Sequence, residues 1–419
     1  MTQARAARVL VTTAAVSTAC VLPAFLVGAM AVQLRADLGV SASGTGLAVG
    51  AFFAAASLAS APLGRLTERR GATRSLRAAA VIAAACQLGL AGLARSLPVL
   101  LAFLAVGGSA NALAQPAANL LLARDLPVHR QGLGFAIKQA AIPIATLLSG
   151  LAVPAIALTV GWRWAFVASA ALAIASITTV PRRPSIGTGR VSRPSRDRSG
   201  DMPLPVMVWL ALGIALGAAS AGTLGAFFVS AGVDAGLVEG TAGLVLAAGS
   251  ALGIVTRLAA GVQADRRGGG HLRVVAIMLC GGAVIYCLLA TETTWAFVVA
   301  GPFAFATGWA WPGLFNLAVV RVNPNAPGAA TGITQTGTYL GAVVGPVLFG
   351  LVAEHVSFRA AWLGAAAMAL LAALTIVGAR RRVRAWRDAA RDGAGDERRE
   401  VPSSSRDPSS EPGGRGPSD

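Results

Sequence analysis

Charged residues are scarce in this chain: Asp, Glu, Lys and Arg make up 13% of its 419 residues, whereas about a quarter is usual in soluble domains. Apolar residues make up 55%, and the mean hydropathy is +0.66. A soluble core stops growing at about 250–300 residues, so a soluble fold of this length cannot bury so much apolar surface. The excess must face lipid. This excludes a cytosolic enzyme, a secreted disulfide scaffold and a disordered regulator.

Ligand-binding and catalytic motifs are also lacking. The four cysteines lie in apolar runs, the three histidines lie near the ends of such runs, and neither set has metal-ligand spacing. The zinc motif HExxH, the nucleophile motif GxSxG, the Walker A loop and the dinucleotide fingerprint are absent. The polar segments are too short to hold a nucleotide-binding domain. We therefore expect no enzymatic activity, no metal, no cofactor and no ATP-driven pumping.

The chain contains instead twelve apolar runs of about 20 residues, the length at which a helix crosses a bilayer. They cover 9–33, 44–63, 75–94, 97–122, 131–157, 162–180, 206–231, 240–262, 272–290, 295–320, 329–352 and 360–379. This pattern predicts an all-α polytopic membrane protein whose first run is an ordinary span. Its expected parts are a six-helix half (1–180), a basic cytoplasmic linker (181–205), a second six-helix half (206–380) and a disordered cytoplasmic tail (381–419).

The arginine distribution indicates the orientation. Basic residues outnumber acidic ones by 35 to 18, and all but one of them are arginine. Because they lie between the apolar runs, the positive-inside rule explains them better than nucleic-acid binding does. With the N-terminus inside, thirty arginines fall in inner segments and four in outer loops. We therefore expect a multi-pass protein of the plasma membrane with both termini cytoplasmic, and no nucleic-acid partner.

The two halves carry the same marker residues at a nearly constant offset. Pairs that lie 197 positions apart include Asp37/Asp234, Gly64/Gly261, Glu68/Asp265, Arg69/Arg266, Gly71/Gly268 and Asn119/Asn316. Gln139 and Gln335 keep an offset of 196. Six spans return the chain to the same side of the membrane, so the halves are predicted to be parallel repeats. Such halves rock about a binding site at their interface, which is alternating access.

A short charged motif follows the second span and recurs in the second half. It runs Gly64-Arg-Leu-Thr-Glu68-Arg69-Arg70-Gly71-Ala-Thr-Arg74, and its copy runs Gly261-Val-Gln-Ala-Asp265-Arg266-Arg267-Gly268. Its glycines suit a tight turn between helices, and its carboxylate can face the positive N-terminus of a neighbouring helix. Positive-inside topology alone would explain the arginines, but not the acid-Arg-Arg-Gly order appearing twice. We interpret the motif residues as a conformational gate at the cytoplasmic face.

With this motif the chain resembles the major facilitator superfamily, whose loop between the second and third spans carries G-x-x-x-D-R-x-G-R-R. The first copy matches at Gly64, Glu68, Arg69 and Gly71, with Glu for Asp and with Arg74 in its basic end, and the second keeps Gly261, Asp265, Arg266 and Gly268. The resemblance covers about residues 9–380. It implies two pseudo-symmetric six-helix bundles, secondary transport of a small molecule, and contacts of the acid and Arg between the halves in an outward-facing state.

A lysine falls inside a span. Lys138, the only lysine, is expected about 12 Å deep in the fifth span of a bilayer core about 30 Å thick. None of the 18 acidic residues lies mid-span to pair with it. A bare ammonium at that depth needs water and an anion, which points to a substrate contact. The alternative is that Lys138 snorkels to the inner interface.

Other polar and aromatic residues in the spans are candidates to line the passage. They are Gln139, Gln335, Asn111, Asn316, Trp309 and Tyr339. Each could instead bridge helices or pack at a helix interface. Arg257, eight residues before Asp265, is interpreted as part of the gate, with a second cationic substrate contact as the alternative.

The sequence thus predicts a secondary active transporter, working as a monomer in the lipid bilayer, for a small organic or inorganic anion. The anion would be coupled to a proton or exchanged for a counter-anion. The alternative is proton-coupled efflux of amphipathic drugs or of a secreted metabolite. Against efflux stands the lack of an intramembrane carboxylate to bind a cation or carry the proton.

Overall fold

The computed structural model describes residues 3–126, 128–181, 202–266, 270–323 and 327–399, and the regular structure in these ranges is helical. The first half contains α1 (Gln3–Ala29), α2 (Ala31–Leu38), α3 (Ala42–Arg70), α4 (Ala72–Leu93), α5 (Leu97–Asp125), α6 (Val128–Gln139), α7 (Ala141–Ala152), α8 (Leu158–Val160) and α9 (Trp162–Thr179). The second half contains α10 (Leu204–Asp234), α11 (Glu239–Arg266), α12 (His271–Leu289), α13 (Gly301–Phe303), α14 (Pro312–Val322), α15 (Pro327–His355) and α16 (Phe358–Arg399). The all-helical prediction is confirmed.

Eleven helical segments of the described chain are long and apolar enough to cross a membrane. The remaining expected span, the sixth, is α9, a helix of 18 residues. Its first turn holds Arg163 between Trp162 and Trp164, which lowers its mean hydropathy. α9 packs on α1 and α4 within the first half, as a sixth span of that half should.

The C-terminal segment differs from its prediction. Disorder is expected from residue 381, but α16 continues as a helix to Arg399. The span has already formed the helix nucleus, so the Ala- and Arg-rich residues that follow extend the helix at one hydrogen bond per residue. Residues 400–419 and residues 182–201 of the linker lie outside the described residues.

Buried apolar side chains form three cores, and their membership shows how the halves are joined. One core combines residues of both halves, such as Phe52 and Phe227. A second consists of first-half residues such as Leu121, and a third of second-half residues such as Trp311. The shared core lies toward the connections at 39–41, 94–96, 161, 235–238, 290–295 and 356–357, which we call the closed end. The separate cores lie toward the opposite end, where both halves begin, which we call the open end.

The halves meet mainly along three helix pairs, α3 with α15, α7 with α11 and α1 with α10. Glycines permit the close approach. A Cβ atom at Gly46 of α3 would collide with the carbonyl of Pro346, and one at Gly150 of α7 with the carbonyl of Gly243. Small residues of this kind are how membrane helices bring their backbones together.

At the open end the halves stand apart. A Cβ atom at Gly64 of α3 or Gly261 of α11 would meet no described atom within 4 Å. Four side chains of the predicted gate are exposed on the two rims of this opening: Glu68, Arg69, Arg74 and Arg266. Arg257 is half-buried. Gly71 makes the turn between α3 and α4 at a φ of 84°. Gly268 and the side chain of Asp265 lie outside the described residues.

Candidate functional site

The fifth span is interrupted directly after Lys138 and Gln139. α6 ends at Gln139, Ala140 forms a turn, and α7 begins at Ala141. Pro143 explains the break, because proline has no N–H to donate to the carbonyl four residues earlier. The carbonyl oxygen of Gln139 therefore lacks its regular partner within the helix.

The tenth span is interrupted as well. The chain passes through the π-helical turns Ala296–Ala300 and Ala304–Gly308 before α14 begins at Pro312. Trp309 follows the second π-helical turn with φ −128° and ψ −6°, outside helical geometry. The carbonyl group of Trp309 thus lies in a break of the helical hydrogen-bond ladder.

Arg257 of α11 binds both of these carbonyl groups. Its Nη2 donates to the carbonyl oxygen of Trp309 at 2.6 Å, and its Nη1 donates to that of Gln139 at 3.3 Å. Gln139 belongs to the first half, whereas Arg257 and Trp309 belong to the second, so one guanidinium crosses the interface. We call this arrangement the Arg257 bridge.

Aromatic and hydroxyl side chains add further contacts between the halves. The ring of Trp309 lies 5.6 Å from that of Phe25 of α1. The hydroxyl of Tyr339 on α15 interacts with the side chains of Ser60 on α3 and Gln335. Gln335, one turn nearer the open end, is exposed. These contacts lie where the closed interface gives way to the opening.

Lys138 is buried, with 7% of its surface exposed, and it has no hydrogen bond or ion pair to any residue that the structure describes. One helical turn earlier, Gly134 packs on Leu122 of α5 and Leu10 of α1. Because residues four apart share a helix face, Lys138 is directed to the same side. Its ammonium is not among the unpartnered polar atoms that are sealed from solvent. Lys138 is thus a cation in the fifth span that no carboxylate of the described residues neutralises, one position before the Gln139 of the Arg257 bridge.

The structure brings some of the sequence-predicted residues together and keeps others apart. Gln139 and Trp309 meet at the Arg257 bridge. Asn111 is buried within the first half, where its Oδ1 accepts a hydrogen bond from Gln115 Nε2 at 3.2 Å. Asn316 is half-buried on α14. Arg257 lies two helical turns before the end of α11 rather than with the exposed arginines of the gate.

Two residues at the interface between the halves could not be predicted from the sequence. Phe25 and Ser60 lie in ordinary apolar runs and show no pattern that separates them from packing residues. The position of Pro143, four residues after Gln139, was the one available signal, since it predicts a free carbonyl at Gln139.

The closed end is held by polar contacts of its own. Gln33 Nε2 donates to Glu239 Oε1 at 3.0 Å, and the backbone N–H of Ser43 donates to Glu354 Oε2 at 2.7 Å. Both contacts join the first half to the second. The two carboxylates therefore fasten the end of the molecule that lies opposite the opening.

Asp37 and Arg163 form an ion pair at the closed end within the first half. The carboxylate of Asp37 also accepts a hydrogen bond of 3.0 Å from the indole Nε1 of Trp162. These two donors, the Arg163 guanidinium first, lower the pKa of Asp37 from its ordinary value. Arg359 lies 196 positions after Arg163, the offset that Gln139 and Gln335 keep. It makes a different contact, since its backbone N–H donates to Glu292 Oε1 at 2.7 Å.

The family model described as Major Facilitator Superfamily matches residues 11–336 and 210–408 of this chain. A protein of Bacillus subtilis (strain 168) named for metabolite transport, YwtG, is 30% identical over 131 residues, which are 31% of this chain. That match spans 28% of the length of YwtG.

Solved structures share the fold over nearly the whole chain. A bacterial homologue of the human lysosomal transporter Spinster, inward-facing and occupied, has a TM-score of 0.71 at 16% identity and covers 91% of this chain and 98% of its own. A D-xylose–proton symporter has a TM-score of 0.73 at 18% identity, and the match covers 88% of this chain and 96% of the symporter. The xylose transporter XylE from E. coli, in an inward-open conformation, has a TM-score of 0.71 at 16% identity. The match covers 88% of this chain and 94% of XylE. At these identities the likeness shows the fold alone.

Proposed function

This chain belongs to the Major Facilitator Superfamily, and we propose that it moves a small organic or inorganic anion by alternating access. It is a multi-pass membrane transporter and not an enzyme. The proposal places the protein in the plasma membrane with both termini cytoplasmic, in accord with the excess of arginines in the inner segments over the outer loops. In that orientation the open end faces the cytoplasm, and the conformation is inward-facing.

The observation that carries the anion assignment is an excess of positive charge at mid-span. Lys138 and Arg257 lie inside spans, and neither has an acidic partner among the described residues. Charges inside a membrane are costly and mark pathways for ions or polar substrates. An anion that enters from the open end would supply the missing negative charge.

The test is uptake into proteoliposomes that contain the purified protein. Radiolabelled carboxylates, inorganic phosphate and nitrate are compared with neutral sugars and lipophilic cations. Lys138→Gln should reduce uptake of the transported anion at least about tenfold, since it removes one charge worth more than about 1.4 kcal/mol at a poorly solvated site. Lys138→Arg should retain much of it. Arg95→Gln is the matched control, because it removes an exposed charge from a closed-end loop.

Anion uptake that Lys138→Gln leaves unchanged would contradict the assignment, as would accumulation of neutral substrates alone. A neutral metabolite is the second candidate function, since the D-xylose–proton symporter shares the fold. The side chains of Gln335, Tyr339 and Trp309 could bind hydroxyl groups and stack on a sugar ring. Proton-coupled drug efflux is disfavoured, because the acidic residues of this chain lie at span ends, in connections or in the tail.

A further inference from the structure

The Arg257 bridge does not use the whole guanidinium. Arginine has five N–H groups in a planar fork, and two of them donate to the carbonyls of Trp309 and Gln139. The Nε of Arg257 has no partner in the described part of the chain, yet it is not among the polar atoms sealed from solvent. The guanidinium is therefore neither saturated with hydrogen bonds nor fully sealed from solvent.

The two carbonyl contacts of Arg257 differ in strength. The bond to Trp309, at 2.6 Å, joins two residues of the second half. The bond to Gln139, at 3.3 Å, crosses the interface and lies beyond the usual range for N–H to O bonds. Because a charged donor binds an anionic oxygen more strongly than a neutral one, an incoming anion would displace Gln139 and leave Trp309 in place.

We propose that Arg257 binds the charged group of the transported anion, and that this group is a carboxylate or a phosphate which replaces the carbonyl of Gln139. The inference rests on the proposed anion transport. Carboxylates and phosphates present paired oxygens that match the guanidinium fork, whereas a halide offers a single point of contact. The carbonyl of Trp309 keeps the guanidinium in position during the exchange.

The rest of the substrate is organic. Trp309 is half-buried, and its ring packs on Phe25 and Phe305. A partly exposed tryptophan whose carbonyl holds a cationic group suits a ligand with an apolar or planar carbon body. Lys138, the residue before Gln139, adds a second positive charge to the same stretch of α6. The substrate class is thus a small organic carboxylate or phosphate ester.

Occupancy of this site would also act on the interface. The hydrogen bond between Arg257 and Gln139 links the two halves, and the anion removes it by taking its donor. Ligand binding therefore breaks one of the contacts that join the two halves.

The experiment is equilibrium binding of four probes to the purified full-length protein by calorimetry: benzoate, phenyl phosphate, the neutral isostere benzamide, and chloride. We expect benzoate or phenyl phosphate to bind, and benzamide and chloride to bind at least tenfold more weakly. Arg257→Gln should weaken oxyanion binding at least tenfold. Arg257→Lys should restore less than half of that loss, because an ammonium lacks the fork.

Pro143→Ala is the decisive variant. It gives residue 143 an N–H for the carbonyl of Gln139, so that carbonyl no longer competes for Arg257. Oxyanion binding should then tighten about threefold or more, a gain that a damaged fold would not produce. Pro116→Ala, which changes a proline inside α5, is the matched control and should bind the probes as the native protein does.

The outcomes separate this inference from the proposed function. If oxyanions bind and respond to Lys138→Gln but not to Arg257→Gln or Pro143→Ala, anion transport stands and the role of Arg257 is overturned. If chloride binds as tightly as benzoate, the substrate class is overturned. If Pro116→Ala tightens binding as much as Pro143→Ala, the exchange with Gln139 is overturned. If no anion binds the native protein, both proposals fail.

Discussion

Ser250 of α11 donates a hydrogen bond of 2.8 Å to the hydroxyl of Thr146 of α7, and both side chains are buried where the two halves meet. Thr146 lies seven residues after Gln139, and Ser250 lies seven residues before Arg257. Seven residues are about two helical turns, so the hydroxyl pair and the Arg257 bridge occupy one antiparallel seam. Along this seam the contacts change from a neutral pair near the closed end to a charged contact at the opening.

The hydroxyl pair should make a measurable contribution to the interface. In a double-mutant cycle of Ser250→Ala and Thr146→Val, we expect a coupling energy of about 0.6 kcal/mol, the average for polar pairs between membrane helices. The measurement is chemical denaturation of the purified protein in detergent. Strictly additive effects of the two substitutions would show that the hydrogen bond does not stabilise the closed seam.

The two neighbouring tryptophans should respond differently to truncation. Trp311 has 1% of its surface exposed, packs in the core of the second half and donates from Nε1 to the carbonyl of Gly308 at 2.7 Å. Trp311→Ala should therefore destabilise the protein by about 3–5 kcal/mol. Trp309→Ala removes a half-buried ring and should lower the melting temperature less while weakening ligand binding more. Thermal denaturation and probe binding, measured on both variants, would refute this division if the two rankings were reversed.

The ion pair of Asp37 with Arg163 makes a small part of the stability dependent on pH. Since the pKa of Asp37 is lowered in the folded protein, its contribution is fully present above the ordinary carboxyl pKa near 4. It is lost as the pH falls through the lowered pKa of the folded state. The pair is partly exposed, so Asp37→Asn should lower the melting temperature by at most about 2 °C at pH 7.

The control for Asp37 is the same comparison at acid pH. Below the folded-state pKa both carboxyl and amide are neutral, so the difference in melting temperature between Asp37→Asn and the native protein should vanish. A difference that stays constant from pH 7 to pH 2.5 would mean that the substitution acts through packing and not through the charge.

Sequence periodicity and arginine spacing predict most of the fold, because membrane helices must satisfy their backbone hydrogen bonds internally and are therefore long, apolar and countable. The breaks within the helices are harder to predict. Pro143 in the run 131–157 predicts a free carbonyl at Gln139, but the partner of that carbonyl, Arg257, becomes visible only in the structure. A local pattern contains no information about a donor that lies more than a hundred residues away.

The candidate site shows the same limit. Lys138 can be singled out from sequence because a lone charge in a span is rare. Arg257 lies close enough to the charged motif at Asp265 to be grouped with it, although α11 carries it two turns into the interior. Trp309 and Trp311 are two positions apart in sequence. Because the segment after the π-helical turn is not helical, Trp309 lies at the interface between the halves and Trp311 in the core of the second half.

We infer that the two halves move about the seam between α7 and α11, so that opening one end closes the other. Spin labels at Arg65→Cys and Gln263→Cys would report the open end, and labels at Arg35→Cys and Val238→Cys the closed end. All four positions are exposed. Cys280 and Cys287, which are exposed, are replaced by Ser, whereas Cys20 and Cys86 are buried.

The most direct measurement is the distance distribution of both label pairs by pulsed electron resonance, with and without Glu354→Ala, which removes the closed-end contact to Ser43. We expect Glu354→Ala to shift population to longer distances at the closed end and to shorter distances at the open end, by the same fraction. Lengthening at the closed end with an unchanged distribution at the open end would contradict it.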